Sequence, residues 1–306
     1  MAHVEQREFM TEDRALRQLP PLLRAMRPLQ WTKSSLVFAP LLFDRRVFHP
    51  ASLWRSIAAA VVFCLISSAI YLLNDVRDIE ADRVHPKKRF RPIASGEITT
   101  RTAVTAALVL FAVGLSGAVA IRPAFSLVAL GYIALMLTYT WWLKTLVLLD
   151  VFTIAAGFVL RAAGGAVAIA VPISPWLYVC TMLGALFIGF GKRRHELESL
   201  DGIAVQHRAN LDQYSLQLLD QIIAIISSAI LMAYSLYTFD ASNVPDNHAM
   251  MLTIPFVLYA LFRYLYLIYS KKEGGSPEVL LVTDRPMLFC IISWGLSSGV
   301  ILYLTR

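Results

Sequence analysis

Residues 54–82 read WRSIAAAVVFCLISSAIYLLNDVRDIEAD, an apolar run that passes directly into a charged block. The apolar part, residues 54–74, has about the 20 residues that an α-helix needs to cross a bilayer. The charged part carries Asp75, Asp78 and Asp82. If the helix continues, this spacing puts the three side chains on one face, where they can share a divalent cation. The stretch therefore predicts a spanning helix that ends in a cation site.

The composition of the whole chain is typical of a membrane protein. Of its 306 residues, 57% are hydrophobic and 16% are charged, and the mean hydropathy is +0.60. Soluble domains carry more charge than this. Without strand-like alternation, the pattern predicts an all-α integral membrane protein, a bundle of about nine transmembrane helices. The predicted spans lie near 28–48, 54–74, 101–121, 124–143, 146–170, 175–191, 215–239, 250–270 and 286–305, and Pro40 interrupts the first.

The distribution of Lys and Arg predicts the orientation. Most of them fall on the side of the amino terminus, and the opposite side has only Arg45, Arg46, Arg55, Arg122 and Arg306. The positive-inside rule therefore puts the amino terminus and the aspartates on the cytoplasmic side of a bacterial-type plasma membrane. The net charge of +7 has the same origin, so no nucleic-acid partner is expected. Residues 1–27 lack a signal-peptide core and are expected to be a cytoplasmic lead-in to a membrane domain over 28–306.

Basic side chains accompany the aspartates. Arg77, Lys87, Lys88, Arg89 and Arg91 lie close to them in the sequence, and cations of this kind hold oxyanions. Carboxylates that bind Mg²⁺ beside such cations predict a site for a diphosphate–metal complex at the membrane surface. The sequence has neither a Walker phosphate loop nor a G-x-G-x-x-G motif, and its three cysteines are isolated in apolar runs. Phosphate chemistry would therefore depend on the aspartates and these cations.

A second basic group follows the sixth apolar run. Lys192, Arg193 and Arg194 have only Glu196 and Glu198 as nearby acids. A mainly cationic group suits phosphates that a metal does not fully neutralise. The plainer interpretation is a helix carboxyl terminus that carries cations against its dipole. For the loop over residues 87–91, the corresponding alternative is a solvated segment that only sets the topology.

The pattern Asn74-Asp75-x-x-Asp78-x-x-x-Asp82 resembles the UbiA superfamily of intramembrane prenyltransferases. Other segments are similar to its decaprenyl-phosphate phosphoribosyltransferase branch, although Ser34 follows Lys33 where that branch has Asn. These segments are Arg27-Pro28-x-Gln30-Trp31-x-Lys33, Asp75 to Gly96, Tyr139 to Lys144, Gly191 to Leu197, Tyr214-Ser215 and Thr283 to Pro286.

The resemblance implies a UbiA-like catalytic domain over 28–306 with a Mg²⁺-dependent reaction. Asn74, Asp75, Asp78 and Asp82 would hold Mg²⁺ on phosphoribosyl diphosphate, with the three aspartates essential for catalysis. The 5-phosphoribose would move to a polyprenyl (decaprenyl) phosphate, a step toward lipid-linked arabinose donors for cell-wall synthesis. The resemblance also implies phosphate or substrate contacts for Lys33, Tyr139 and Lys144, in addition to Arg77, Lys87, Arg89, Arg91, Lys192, Arg193, Arg194 and Glu196. A homo-oligomer is left open.

Two other functions stay open from the sequence. One is a UbiA-type prenyl transfer to an aromatic acceptor, and the other is a transporter that uses charges inside the membrane. Arg161 and Arg263 lie within predicted spans, where a charge usually faces a polar cavity or a partner. Asp150 lies on the same helix face as Arg161 but about 16 Å away, too far to pair directly, and we expect both to line the reaction chamber. For Arg263 the sequence leaves the role open, with an acid of a neighbouring span as one partner. Gly157, Gly164 and Gly165 are expected to allow close helix packing.

Overall fold

A computed structural model describes residues 19–85, 88–199, 211–241, 243–272, 280–281 and 283–304. Within these ranges the secondary structure is helical and contains no strand, which confirms the all-α prediction. The α-helices are α1 Pro21–Ala25, α2 Ala39–Phe43, α3 Pro50–Arg77, α4 Ile79–Val84, α5 Thr100–Ile121, α6 Pro123–Trp141, α7 Leu149–Ile169, α8 Pro175–Ser199, α9 Leu216–Asp240, α10 Ile254–Tyr266 and α11 Arg285–Leu304.

Eight helical segments among the described residues are long and apolar enough to cross a membrane. Seven correspond to α3, α5, α6, α7, α8, α9 and α11. The eighth, Ala249–Lys271, joins a 3₁₀ turn, α10 and the π-helical turn Leu267–Lys271.

The first predicted span, 28–48, is not one long α-helix. Its first part, Pro28–Phe38, is a 3₁₀ helix of 11 residues, and the five residues of α2 follow. Pro40 lies at the start of α2, where its missing N–H costs little, whereas inside a continuing α-helix it would break the hydrogen-bond ladder. The predicted number of about nine spans is therefore not confirmed by these helices.

The described residues form two compact units. One contains residues 19–35 and Ala58–Ile133, and the other contains Leu36–Ile57 and Ala134–Arg306. In the first unit, Ala69 and Leu72 of α3 pack with Ala103 and Ala107 of α5 and with Ile93 of the intervening loop. This buried cluster fixes the loop that follows the aspartate block against the helix that carries it.

The second unit is built around α8, which packs on α7 and α9. Val151, Phe187, Phe190, Leu219 and Ile223 form the centre of its core. On α7, a Cβ added at Gly165 would lie 2.2 Å from the backbone oxygen of Val37. The expected role of this glycine in close packing is confirmed, since its missing side chain lets the backbone at Val37 lie against α7.

Arg263 of α10 pairs with an acid, which decides a question that the sequence left open. Its Nε and Nη2 donate to the two carboxylate oxygens of Asp284 at 3.1 and 2.8 Å. Asp284 also accepts a hydrogen bond from the Met287 N–H at 2.9 Å and so caps α11. The hydrogen bonds from the Arg263 guanidinium lower the pKa of Asp284. The pair thus ties α10 to the start of α11.

We expect Gly165→Ala to destabilise the protein by at least about 1–3 kcal/mol, because its new methyl group would overlap backbone that cannot rotate away. Gly184→Ala is the matched control in the same unit, since nothing lies within 4 Å of the position that its new methyl group would take. Thermal unfolding of the purified protein in detergent measures both. Equal melting temperatures for the two variants would contradict the close contact at Val37.

We expect the contribution of Asp284 to stability to depend on pH. Because its pKa is lowered in the folded state, this contribution is present above the unfolded value of about 4 and is lost as the pH falls through the lowered pKa. The melting temperature of Asp284→Asn should therefore approach that of the wild type below about pH 4. Melting curves between neutral and acidic pH test this, and a difference that stays constant would exclude the linkage.

Candidate active site

The aspartate block spans a break between two helices. Asp75 lies in the last turn of α3, Asp78 lies between the helices with φ −92° and ψ 9°, and Asp82 lies in α4. The Asp78 N–H still donates to the Asn74 carbonyl at 3.0 Å, and the Asp82 N–H donates to the Asp78 carbonyl at 2.8 Å. The single continuous helix assumed from the spacing is therefore wrong, but the helical hydrogen bonds persist across the break and keep Asp75 and Asp82 close together.

Asp75 and Asp82 are both almost completely buried, with 2% and 3% of their surface exposed. One nitrogen of Arg91 joins them: Nη1 lies 3.2 Å from Asp75 Oδ1 and 2.7 Å from Asp82 Oδ2. Arg27 also pairs with Asp75 Oδ1, and its guanidinium lies 4.9 Å from the centre of the Tyr71 ring. Two guanidinium groups thus supply the positive charge that the buried carboxylates require.

The other predicted residues of this unit that the structure describes are less buried than Asp75 and Asp82. The Asn74 side-chain amide donates to Asp78 Oδ2 at 3.2 Å, and both residues are partly exposed. Arg77 and Arg89 are exposed, and the Arg89 guanidinium lies over the ring of Phe90. Lys33 is half-buried on the 3₁₀ helix. Lys87 lies outside the described residues.

The donor set of this cluster fits a hard divalent cation, which prefers carboxylate and amide oxygens. The bridging nitrogen of Arg91 marks a position between Asp75 and Asp82 where a positive charge is already favoured. In the part of the chain that the structure describes, however, no three acidic, histidine or cysteine side chains converge on one point as metal ligands. The carboxylates face arginines instead, so binding of a cation would require a change of partners.

The second unit contains a similar arrangement around Arg193. Its Nε donates to Asp150 Oδ2 at 2.8 Å, and its Nη1 donates to Glu196 Oε2 at 2.5 Å. Asp150 is fully buried, and Arg193 is 3% exposed. The Tyr214 hydroxyl donates to the other Asp150 oxygen at 2.9 Å. Arg193 therefore has a structural role, because it neutralises a carboxylate that lies inside the protein.

The backbone before Asp150 is strained. Leu148 has φ 66° and ψ −49°, and the Leu149 N–H donates to the Val147 carbonyl at 2.8 Å, which is a γ-turn. Such a conformation costs a bulky residue about 1–3 kcal/mol. The Leu148 N–H donates to the Tyr214 hydroxyl at 2.6 Å, so Tyr214 holds both the turn and Asp150. Burial raises the pKa of Tyr214 to about 12, and the hydroxyl therefore stays protonated at neutral pH.

Arg194 belongs to a separate network of side chains. It donates from Nε to Asp220 at 2.7 Å and from Nη1 to Glu198 at 2.8 Å, and it lies over the ring of Tyr269 at 4.3 Å. The Tyr269 hydroxyl donates to the same Asp220 oxygen, and Lys272 pairs with Glu198. These contacts join α8 to α9 and to the π-helical turn, so the first role of Arg194 is also structural.

The remaining predicted residues of the second unit are less buried, with one exception. Tyr139 lies near the end of α6, close enough to Arg193 for an electrostatic interaction. Lys144 is half-buried in a short 3₁₀ turn over Leu143–Thr145, and Lys192 is half-buried on α8. Arg161 is 4% exposed in the middle of α7, with its guanidinium 5.5 Å from the Phe158 ring. Arg193 and Arg161 are therefore the most buried of the predicted substrate-binding cations that the structure describes.

Sequence reasoning missed several members of these clusters. In the sequence, Arg27 is part of a motif, but nothing there links it to Asp75. Asp150 lies too far from Arg161 along the same helix to pair with it, so the sequence named no partner for Asp150. Asp220 gave no signal, because it pairs with Arg194 across 26 positions of the chain. One signal could have identified Asp150: an acid at the start of an apolar run needs a cation, and Arg193 lies at the end of the following run.

A comparison with protein families matches residues 36–283 to the UbiA prenyltransferase family. Among curated proteins, the decaprenyl-phosphate phosphoribosyltransferase of Mycobacterium tuberculosis is 34% identical over 277 residues, which cover 89% of this chain and 91% of that protein. The enzyme of the same name from Corynebacterium glutamicum is 34% identical over 295 residues, with 92% and 88% covered.

Solved structures give the same fold. A UbiA homologue from Archaeoglobus fulgidus bound to GPP and Mg²⁺ superposes with a TM-score of 0.72 at 18% sequence identity. The match covers 93% of this chain and the whole of that one. At this identity the similarity establishes the architecture, whereas the sequence relatives establish the family.

We expect Asp150→Asn to lower the free energy of unfolding by about 3–5 kcal/mol, since it leaves the buried Arg193 with only Glu196 as a counter-charge. Tyr214→Phe should cost less, about 1–3 kcal/mol, because it removes hydrogen bonds without removing a charge. Unfolding by denaturant in detergent measures both. Asp240→Asn, at an exposed position at the end of α9, is the control, and an equal loss for Asp150→Asn and the control would contradict the buried pair.

Proposed function

Because the chain belongs to the UbiA prenyltransferase family, we propose that it is a Mg²⁺-dependent transferase of 5-phosphoribose from phosphoribosyl diphosphate to a polyprenyl phosphate. The observation that carries the proposal is the match, over most of both chains, to relatives named decaprenyl-phosphate phosphoribosyltransferase. By the same likeness, decaprenyl phosphate is the first acceptor to test. The product would be a precursor of lipid-linked arabinose donors for cell-wall synthesis.

The aspartate block is the proposed catalytic centre. Asp75, Asp78 and Asp82, with Asn74, would hold Mg²⁺ on the diphosphate of the donor. Bound there, the metal would act as a Lewis acid that stabilises the leaving diphosphate. Asp78 is the most accessible of the three, since Asp75 and Asp82 are nearly enclosed. We therefore assign it the first contact with an arriving cation.

Phosphate oxygens of the two substrates are assigned to cationic and hydroxyl side chains. Lys33, Arg77, Lys87, Arg89 and Arg91 would serve this purpose in the first unit. In the second unit the proposed phosphate contacts are Tyr139, Lys144, Arg161, Lys192, Arg193 and Arg194, and the carboxylate of Glu196 is a proposed contact to another part of a substrate. Since Arg193 and Arg194 are already paired with carboxylates, a phosphate contact by either one would require it to share or leave one of these partners.

The proposed reaction exchanges one bond at the anomeric carbon. The bond from this carbon to the diphosphate oxygen breaks, and an oxygen of the lipid phosphate forms the new one. The lipid phosphate is already an anion near neutral pH, so it needs no strong general base. The protein therefore acts mainly by positioning the two substrates and by stabilising charge.

The setting of the reaction is also part of the proposal. We place the chain in a bacterial-type plasma membrane, with residues 1–27 as a lead-in and 28–306 as the catalytic domain. The amino terminus and the site would face the cytoplasm, and the apolar helices would hold the polyprenyl tail. Association into a homo-oligomer is compatible with this arrangement. Membership of a transferase family argues against the transporter alternative.

The decisive experiment combines purified protein, Mg²⁺, decaprenyl phosphate and phosphoribosyl diphosphate labelled in the ribose. Transfer of label into the lipid phase supports the proposal. A parallel reaction contains a prenyl diphosphate and 4-hydroxybenzoate. Prenylation of the aromatic acceptor, with no labelled lipid in the first reaction, would instead identify a prenyltransferase of the ordinary UbiA type.

We expect Asp78→Asn and Asp82→Asn to lower turnover by roughly a hundredfold or more, because a catalytic metal contributes several kcal/mol. Glu80→Gln is the matched control, since Glu80 lies on α4 beside them but is exposed and pairs with Arg83. EDTA should inactivate the wild type, and excess Mg²⁺ should restore it. Full activity of either aspartate variant, with melting curves like that of the control, would remove the metal assignment.

A further inference from the structure

The two arginine–carboxylate arrangements differ in how firmly the arginine is held. Arg193 is enclosed, with 4% of its side chain exposed, and uses two different nitrogens for its two acids. Arg91 has 28% of its side chain exposed and reaches both of its acids with one nitrogen. Arg27 has 27% of its side chain exposed. The arginines on Asp75 and Asp82 are therefore accessible, whereas the one on Asp150 is not.

A cation and Arg91 would compete for the same oxygens. Asp75 and Asp82 are 3% and 4% exposed as side chains, so solvent cannot neutralise them, and each needs a positive partner at all times. A divalent cation bound to both would take the place of the Arg91 nitrogen between them. The displaced guanidinium would then be left beside the new complex, where its positive charge favours an anion.

We infer that Arg91 and Arg27 are exchangeable counter-ions of the aspartate cluster. Without a cation they neutralise Asp75 and Asp82; once a divalent cation occupies the carboxylates, they turn to the diphosphate oxygens that accompany it. The inference rests on the proposed function, because the anion that it assigns to the two arginines is the diphosphate of the proposed donor. Arg27 thereby becomes a substrate-binding residue in addition to those predicted from the sequence.

The surroundings of both arginines are consistent with such an exchange. Arg27 lies between α1 and the 3₁₀ helix with φ 54°, and the face of the Tyr71 ring supports its guanidinium independently of Asp75. Arg91 follows a short 3₁₀ turn, and its backbone is held by hydrogen bonds of its own N–H to Lys88 and of its carbonyl to Ser95. The side chain can therefore change partners while the backbone stays in place.

The first test measures binding of Mn²⁺, as a probe for Mg²⁺, by electron paramagnetic resonance without any substrate. We expect Arg91→Gln to bind the ion at least about fivefold more tightly than the wild type, because the competing charge is gone. Arg27→Gln should show a smaller gain. The control is Arg83→Gln, since Arg83 adjoins Asp82 in the sequence but pairs with exposed Glu80, and it should match the wild type.

The second test separates an exchangeable counter-ion from a purely structural one. Without a divalent ion, Arg91→Gln should melt at a lower temperature than the wild type. Added Mg²⁺ should close this gap, because it binds the variant more tightly than the wild type and therefore stabilises the variant more. A structural role predicts the same deficit with and without Mg²⁺. If Arg91→Gln yields too little folded protein, Arg27→Gln is measured in the same way, since it removes only one contact to Asp75.

The third test uses inorganic pyrophosphate with saturating Mg²⁺. Arg91→Gln and Arg27→Gln should each bind it about 10-fold to 100-fold more weakly, as expected for loss of a hydrogen bond to a charged group. Unchanged or weaker Mn²⁺ binding by Arg91→Gln, or unchanged pyrophosphate binding, would overturn the exchange. An inactive wild type in the lipid-labelling assay would instead overturn the proposed reaction, because none of these binding tests requires turnover.

Discussion

The constraint on which this structure depends is the neutralisation of carboxylates inside a membrane protein. Asp75 and Asp150 both lie on helices of spanning length, and each is almost completely excluded from solvent. A buried carboxylate without a counter-charge would be strongly destabilising, so the fold brings arginines to both from distant parts of the chain. Arg91 and Arg193 supply this charge, and each also reaches a second acid. The loop that carries Arg91 and the part of α8 that carries Arg193 therefore lie beside these acids.

The sequence allowed the fold class and the aspartate block to be predicted, because both depend on local information. Apolar runs of spanning length and acids at close spacing can be recognised without knowing any long-range contact. Arg27 could not be assigned in this way, because it meets Asp75 across 48 positions. The break at Asp78 and the 3₁₀ helix at Pro28–Phe38 also escaped prediction, since helical spacing and apolar character fit a continuous α-helix equally well.

The paired acids change the interpretation of the second basic group. From sequence, Lys192, Arg193 and Arg194 formed a phosphate-binding run, yet two of the three hold the protein together. Within the described residues, Arg193 and Arg194 each contact two carboxylates. Their ion pairs give Arg193 and Arg194 a structural role, whereas the phosphate contact of Lys192 stays a prediction. A charged run in a membrane protein contains candidates for substrate contact and structural cations side by side, and only their partners distinguish them.

The contact between Val37 and Gly165 has a consequence for biogenesis. The 3₁₀ segment is synthesised early, but the helix surface that receives it emerges roughly 130 residues later, about 6–25 s at ordinary translation rates. During that interval this apolar segment, which Pro40 interrupts, cannot yet pack against α7. Its final placement is therefore a post-insertion event. In the cell, the earliest part of this unit to be made must therefore wait for α7 before it can reach its native position.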